Sequence, residues 1–254
     1  SLIPPSTFYP IDDEGHLRNF KEDYGWLTYL QEEILLDIVL VCQQLYGDQL
    51  CAVHFTDSHL YNHKYRFDFV VILNNGDLNE RKLSSVLFNT FSWKYPFVFL
   101  YNSTMLSLDQ IGQSRELQFL VCVLSRRVFG SVLHHRYKPF KPNKELIFLL
   151  KRLEKKFEEV TAEILIRKHH YETLKTHLVK FMMRASFELI IEVEQRFTRD
   201  IYLCQELFSV HYPQYSFQSR SLLSYLGTDV PDSVFIKSAE NFKTILTYEY
   251  GKIK

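Results

Sequence analysis

The chain has 254 residues, of which 46% are hydrophobic and 15% aromatic, a composition that supports a full core and excludes a disordered protein. Thirty basic and thirty acidic residues balance to a formal net charge of zero, which indicates neither a nucleic-acid partner nor a membrane surface. No apolar run approaches the roughly 20 residues of a bilayer span, and no signal peptide is visible at the N-terminus. Four widely spaced cysteines without a CxxC pair predict free thiols, and we expect a cytoplasmic protein.

The first half of the chain alternates helical and strand patterns. Apolar residues at helical spacing predict a helix over residues 26–46, which Gly47-Asp48 ends. Two strands follow, over 50–55 and 67–73, separated by a polar turn at Thr56-Asp57-Ser58 and a loop. The later elements of this half are a helix over 79–91, a third strand over 95–101 ended by Asn102-Ser103-Thr104, and a helix over 115–124.

The second half contains no convincing strand. A proline-containing stretch over 137–143 is typical of a linker, and residues 145–184 beyond it are strongly helical and charge-dense. Further helices are predicted over 185–197, 201–210, 219–225 and 233–250. We therefore predict an α+β protein with a mixed-sheet α/β domain over 1–137 and an all-helical bundle domain over 138–254.

Asp68 is the most informative single residue, because it is a carboxylate inside an otherwise apolar strand. Such a charge is expected to be paired, bound to a metal, or placed at the end of the buried part of the strand. A salt bridge with Arg66 or Lys64 is one interpretation. A binding role for Asp68 together with the polar turn at Asp57-Ser58 is the other.

The order helix, strand, polar turn, acidic strand, helix, strand, helix resembles the polymerase-β-like nucleotidyltransferase superfamily. In that family a glycine-serine turn precedes a strand with two carboxylates separated by one residue, and a later strand supplies a third. The carboxylates hold divalent cations that bind a nucleoside triphosphate and stabilise charge during transfer, and the turn holds phosphate oxygens. The helical second half resembles the C-terminal bundles of HEPN proteins and kanamycin nucleotidyltransferase.

The resemblance implies roles for particular residues. Asp57-Ser58 stands where the glycine-serine turn would be and would bind the nucleotide, and Asp68 would be the catalytic, metal-binding carboxylate, with Mg²⁺ as cofactor. The position two residues before Asp68 is Arg66 and the position two residues after it is Val70, so the carboxylate pair is broken, and the predicted third strand has no acid. The resemblance therefore implies a degenerate nucleotidyltransferase that binds a nucleoside triphosphate and forms a homodimer through its bundle.

Two alternatives remain open. The fold could serve as a non-enzymatic regulatory or interaction module, which needs no cluster of carboxylates. Asp68, Glu80 and Lys82 also match a loose pattern of Mg²⁺-dependent nucleases, in which carboxylates bind the metal and a lysine orients water. That pattern requires Glu80 and Lys82 on a strand, whereas residues 79–91 are typical of a helix.

Overall fold

The computed structural model describes residues 7–20, 28–61, 64–75, 78–99 and 103–254, with the side chains of 57–61, 64–66 and 99 left out. Its contacts divide the chain into two compact units. Among the described residues, those between 17 and 139 form the first unit, and residues 7–16 together with 140–254 form the second. The first unit is a mixed sheet with helices and the second is helical, so the predicted α+β class is confirmed.

Within the described residues, five strands form the sheet of the first unit. The order is β3-β2-β1-β5, and β4 pairs with β2 beyond β3. Pairs β1–β2 and β1–β5 are antiparallel, whereas β3 and β4 run parallel to β2. The strand bounds are Leu50–Tyr61 for β1, Lys64–Leu73 for β2, Val98–Phe99 for β3, Ser103–Ser107 for β4 and Arg126–Gly130 for β5.

The polar turn predicted at Thr56-Asp57-Ser58 is wrong, because these residues continue strand β1. The two predicted strands extend toward each other and form one long antiparallel hairpin, β1–β2. A short polar stretch indicates a turn only when no partner strand takes up its backbone groups. Here β2 pairs with β1 as far as Tyr61, which opposes Lys64.

The third strand is also shifted from its predicted position. Strand pairing begins at Val98, and Ser103-Thr104, expected to end the strand, open β4 instead. The apolar run over 95–101 was misleading because Tyr95 is buried as the C-cap of the preceding helix. Ser103 opposes Phe69 and Ser107 opposes Leu73, so the pairing with β2 continues along the same edge.

Helices cover both faces of the sheet. Helices α1 (Tyr29–Tyr46) and α2 (Glu80–Lys94) contribute to one apolar cluster, which includes alternate β2 residues such as Phe69 and Val71. Val70 and Ile72 belong to a second cluster on the other face, with residues of α3 and of the turn that follows α4. The alternation of β2 side chains between two covered faces explains why this strand is almost continuously apolar.

Helices α3 (Leu108–Gly112) and α4 (Arg115–Phe119) complete the first unit. The predicted helix over 115–124 is confirmed, but its second half, Leu120–Leu124, is a π-helical turn. The backbone N–H of Ser125 closes this turn on the carbonyl oxygen of Leu120 at 2.9 Å. A π turn inserts an extra residue into the helix and often marks a functional position.

The described part of the second unit contains six α-helices. Their bounds are Leu149–Ile166 for α5, Tyr171–Glu188 for α6, Ile191–Glu194 for α7, Ile201–His211 for α8, Ser216–Ser224 for α9 and Asp232–Ile253 for α10. Helix α6 packs against α5, α8 and α10. Its C-terminal half is buried almost all round, as expected for a helix at the centre of a bundle.

The continuous helix predicted over 145–184 is wrong, because the chain reverses at Arg167 and starts α6 at Tyr171. The separate helix predicted over 185–197 is wrong as well, since α6 continues to Glu188. No glycine or proline marks the reversal. Each helix keeps its own apolar stripe, and helical periodicity cannot distinguish one long helix from two that face each other. The helices predicted over 201–210, 219–225 and 233–250 are confirmed as α8, α9 and α10.

The N-terminal segment packs against the loop after α7. The backbone N–H of Tyr9 donates to the carbonyl of Phe197 at 2.8 Å, and the two rings lie 5.0 Å apart. The hydroxyl of Thr198 donates to the carbonyl of Thr7 at 2.8 Å. These contacts hold the described residues of the N-terminal segment in place.

Candidate functional site

Asp68 lies in the middle of strand β2 and is partly buried. Because strand side chains alternate, it shares a face of the sheet with Val70 and Ile72, which belong to the second apolar cluster. Phe67 and Phe69, its neighbours in sequence, are buried on the opposite face. Asp68 is thus the first polar residue that follows this apolar stripe toward the hairpin end.

The backbone register brings two of the three predicted site residues directly opposite each other, because Asp57 is the Cα partner of Asp68. Ser58 is instead the partner of Phe67, whose side chain is buried on the other face of the sheet. The sequence analysis placed Asp57 and Ser58 in a turn, whereas the structure pairs both residues with the acidic strand.

A bulge adjoins this pair. The β1–β2 register shifts between Phe55 and Asp57, so Thr56 is the extra residue on β1. Its Oγ1 donates a hydrogen bond to the backbone carbonyl of Asp68 at 2.8 Å. The side chain of Thr56 therefore ties the bulged strand to the carboxylate-bearing residue.

The sequence analysis did not select a polar group one step further along the same face. His54 opposes Val70 on β2 and Arg127 on β5, and only 3% of it is exposed. Its Nδ1 lies 2.9 Å from the hydroxyl of Ser125, which is also buried. A histidine between apolar residues in a strand was the available signal, because buried polar groups require partners.

Ser125 is fixed from several directions. Its hydroxyl donates to the carbonyl of Leu120 at 2.8 Å, and its own carbonyl accepts a hydrogen bond from the side-chain amide of Asn19. These contacts join the π turn, strand β5 and the segment before α1. The position of the His54 imidazole is consequently set by three parts of the unit.

Arginines give this end of β5 a positive charge. Arg126 opposes Phe55 and is buried, and Arg127 donates from Nη1 to the carbonyl of Gly130 at 3.1 Å. Burial, together with the charge of Arg127, lowers the pKa of His54 to about 4. His54 is therefore neutral at physiological pH, and positive charge at this end of the sheet comes from arginine.

The described residues do not provide a multi-metal centre. Among them, no three His, Cys, Asp or Glu side chains lie close enough to hold a metal ion together, and β3, β4 and β5 carry no acid. One Mg²⁺ that arrives with a nucleotide takes most of its ligands from phosphates and water and needs one or two carboxylates. Asp68 is a partly buried carboxylate with Asp57 opposite it in the backbone register.

The nuclease pattern is not assembled. Glu80 and Lys82 lie in the first turn of α2, where the Asn79 side chain caps the backbone N–H of Lys82 at 3.1 Å. Glu80 approaches the backbone N–H of Met105 at 3.4 Å. Glu80 and Lys82 are therefore on a helix and not on the strand that the nuclease pattern requires.

Other sequence expectations can be checked directly. All four cysteines are free, as predicted. Within the part of the chain that the structure describes, no helix combines the length and the apolar character needed to cross a membrane. His63, which follows Ser58 closely in the sequence, lies outside the described residues.

No protein-family model and no curated protein matches the sequence. Among solved structures, the chain is similar to the crystal structure of spectinomycin adenyltransferase AAD(9) from Enterococcus faecialis, solved with ATP and spectinomycin. The match has a TM-score of 0.51 and 11% sequence identity, and it covers 84% of this chain and 98% of that one.

A match of this extent with so little identity shows a shared fold. Because it covers 84% of this chain, the match includes parts of both units. The chain is similar in fold to a nucleotidyltransferase across most of its length.

Proposed function

We propose that this protein binds a nucleoside triphosphate at the sheet position formed by Asp57, Ser58 and Asp68. The observation that carries the proposal is the backbone register, which pairs Asp57 with Asp68 and Ser58 with the adjacent residue Phe67. The likeness in fold to an adenyltransferase solved with ATP makes ATP the natural first ligand to test.

We infer that the nucleotide brings a single Mg²⁺, with Asp68 as its protein ligand. Bound there, the ion would neutralise phosphate charge. The residues of this chain would hold and orient the triphosphate. The backbone at Asp57 and Ser58 would contact phosphate oxygens, and the arginines of β5 would add positive charge to the same end of the sheet.

We further propose that the protein is a degenerate nucleotidyltransferase. Two-metal transfer uses carboxylates from more than one strand position to clamp both the attacking and the leaving oxygen. The residues two positions before and after Asp68 are not acidic, and no described residue of the later strands supplies the missing carboxylate. Binding is therefore proposed as the primary function, with transfer of a nucleotidyl group to a small molecule or protein as its active form.

The direct test is calorimetric titration of the full chain with ATP and Mg²⁺. We expect saturable binding by the wild type and binding at least about tenfold weaker in Asp68→Asn, which loses a charged ligand. Asp48→Asn is the matched control, because Asp48 is an exposed acid of the same unit. Absence of heat with all four ribonucleoside triphosphates would end the proposal.

The non-enzymatic alternative is favoured by the missing carboxylates. It predicts that ATP binds without release of pyrophosphate for any hydroxylated acceptor, including spectinomycin, the ligand named for the related structure. Pyrophosphate release that depends on Asp68 would favour the active form. Binding without release would favour a regulatory module.

We also propose that the boundary near residues 137–138 separates two domains, and that the second is a HEPN-like or kanamycin-nucleotidyltransferase-like bundle through which the chain forms a homodimer. Support for pairing comes from exposed apolar side chains on its helices, among them Tyr202 and Val210 of α8 and Phe217 of α9. Sedimentation analysis of the wild type and of Val210→Glu tests the pairing. A monomeric wild type would contradict it.

A further inference from the structure

His54 holds a hydrogen-bond acceptor that no described residue uses. Its Nε2 is buried, and no partner for this atom exists among the residues that the structure describes. A buried polar atom without a partner costs free energy, so most such atoms in folded proteins have one. Nε2 of His54 is therefore available for a hydrogen bond with a bound molecule.

The contacts of Ser125 decide which nitrogen of His54 carries the proton. A carbonyl oxygen has no hydrogen, so the 2.8 Å contact between Ser125 Oγ and Leu120 O requires the single hydroxyl hydrogen to lie between them. Ser125 Oγ must then act as acceptor toward His54, and Nδ1 donates to it at 2.9 Å. His54 is neutral, because burial lowers its pKa to about 4. Its Nε2 is therefore an unprotonated lone pair.

This lone pair belongs to a residue on the same face of the sheet as Asp68. His54 opposes Val70, and Asp68 lies two residues further along β2, a step of about 7 Å in a strand. That separation is shorter than a nucleotide. A ligand whose phosphates lie at Asp68 is therefore long enough to span the distance to His54.

The support for the imidazole has an unusual geometry. Ser125 receives its position from the π turn Leu120–Leu124, where the backbone N–H and the hydroxyl of Ser125 both donate to Leu120 O. Such turns are rare and concentrate at functional sites.

We propose that Nε2 of His54 accepts a hydrogen bond from the bound nucleotide, donated by a ribose hydroxyl or by the exocyclic amine of the base. The inference rests on the proposed nucleotide-binding function and makes His54 a specificity-determining residue of that site. A neutral lone pair selects a donor group and disfavours an acceptor such as a phosphate oxygen, which is why the assignment is to the sugar or the base.

Two substitutions separate this role from simple packing. His54→Gln retains a carbonyl oxygen near the position of Nε2, whereas His54→Asn can still donate to Ser125 but ends before that position. Calorimetry with ATP should show His54→Asn about tenfold weaker than wild type and His54→Gln within about twofold. Thermal unfolding verifies that both variants fold.

Three ATP analogues identify the donor. 2′-Deoxy-ATP and 3′-deoxy-ATP each lack one hydroxyl, and inosine triphosphate lacks the amine. The analogue without the contacted donor should bind wild type about tenfold more weakly than ATP, and His54→Asn should not weaken it further, as in a double-mutant cycle. The assignment would be overturned if His54→Asn bound ATP as tightly as wild type does. It would also be overturned if His54→Asn weakened the binding of ATP and of all three analogues by the same factor.

A measurement without ligand distinguishes failure of this inference from failure of the proposed function. The ¹⁵N chemical shifts of His54 should show protonated Nδ1 and bare Nε2 at neutral pH. Protonated Nε2 would reject the inference even if ATP binds. Absence of ATP binding to wild type would reject the proposed function and this inference together, whatever the tautomer.

Discussion

Thr56 and Asp68 are joined across the hairpin, because the Thr56 hydroxyl donates to the backbone carbonyl of Asp68 at 2.8 Å. The bond lies beside the bulge at which β1 gains one residue relative to β2. Bulges disrupt the ladder of backbone hydrogen bonds locally. A side-chain donor at this point helps to hold the register that pairs Asp57 with Asp68.

We expect Thr56→Val to lower the free energy of unfolding by about 1 kcal/mol, the usual contribution of one hydrogen bond. The register of Asp57 and Asp68 should loosen as well, so affinity for ATP should fall. Thr56→Ser keeps the hydroxyl and should lose less on both counts. Urea denaturation and calorimetry measure the two effects, and equal stability of the Val and Ser variants would contradict the role given to the bond.

Gly130 ends strand β5 at a position where only glycine fits. Its φ is +94°, and an added Cβ would lie 2.2 Å from the carbonyl oxygen of Cys51. Gly130→Ala should therefore destabilise the protein by about 3 kcal/mol or more, because backbone atoms of the neighbouring strand would have to move. Chemical denaturation of the variant measures the loss.

Gly112 is the matched control for this substitution. It lies at the end of α3, and an added methyl group there would meet no atom of the described residues within 4 Å. Gly112→Ala should be neutral or stabilising by up to about 1 kcal/mol, since alanine favours helix. A comparable loss in both variants would show that the contact with Cys51 is not the cause.

The buried imidazole of His54 should make stability depend on pH. Its pKa is about 4 in the folded protein, compared with 6.5 for an exposed histidine. Between these values the unfolded chain binds a proton that the folded chain does not, so the contribution is complete above pH 6.5 and is lost as pH falls toward 4. The shift corresponds to roughly 3 kcal/mol at most.

Carboxylates also titrate in this pH range, but they do so in both wild type and His54→Gln. Because glutamine does not titrate, the difference in stability between the two proteins isolates the contribution of His54. The difference in unfolding free energy between wild type and variant should change between pH 6.5 and 4 and level off outside that window. Urea denaturation across the range measures it. A difference independent of pH would mean that His54 titrates normally in the folded protein.

Glu188 caps the start of α5 from the end of α6. Its carboxylate accepts hydrogen bonds from the backbone N–H groups of Phe148, Leu149 and Leu150 at 2.8–3.0 Å. The first N–H groups of a helix lack partners within the helix and carry partial positive charge, which a carboxylate satisfies. The capped end and the capping residue are consequently one structural unit.

Glu188→Gln should cost about 2 kcal/mol, because charged hydrogen bonds are replaced by weaker ones and the amide brings donors that face other donors. Glu158→Gln, on the exposed side of α5, should change stability by less than about 0.5 kcal/mol. Denaturation of both variants provides the test. Similar losses in the two variants would show that the Glu188 cap does not stabilise the protein more than an exposed glutamate does.

Sequence analysis located most elements because their patterns are local. The stripe of α1, the apolar strand that contains Asp68 and the helices α8 to α10 were each visible from periodicity within a short window. Sequence analysis failed where the secondary structure of one segment depends on its packing against another. Asp57-Ser58 became strand only because β2 lies beside it, and the break at Arg167 follows from the packing of α5 on α6.

At the candidate site, too, local patterns were visible in the sequence and contacts between distant residues were not. Asp68 was found because a charge in an apolar strand is visible in the sequence, whereas the orientation of His54 depends on Ser125 and Leu120, more than 60 residues away. No local pattern records such a contact. The distance along the chain explains why this polar group was missed.

By itself, the amino-acid sequence determined that this protein is an α+β chain with a sheet-containing first half and a helical second half, since burial periodicity is a local property of the residues. Only the tertiary structure decided the strand register that pairs Asp57 with Asp68 and the hydrogen bonds that orient His54. Both depend on which distant segments meet, and that choice is made by packing of the whole unit.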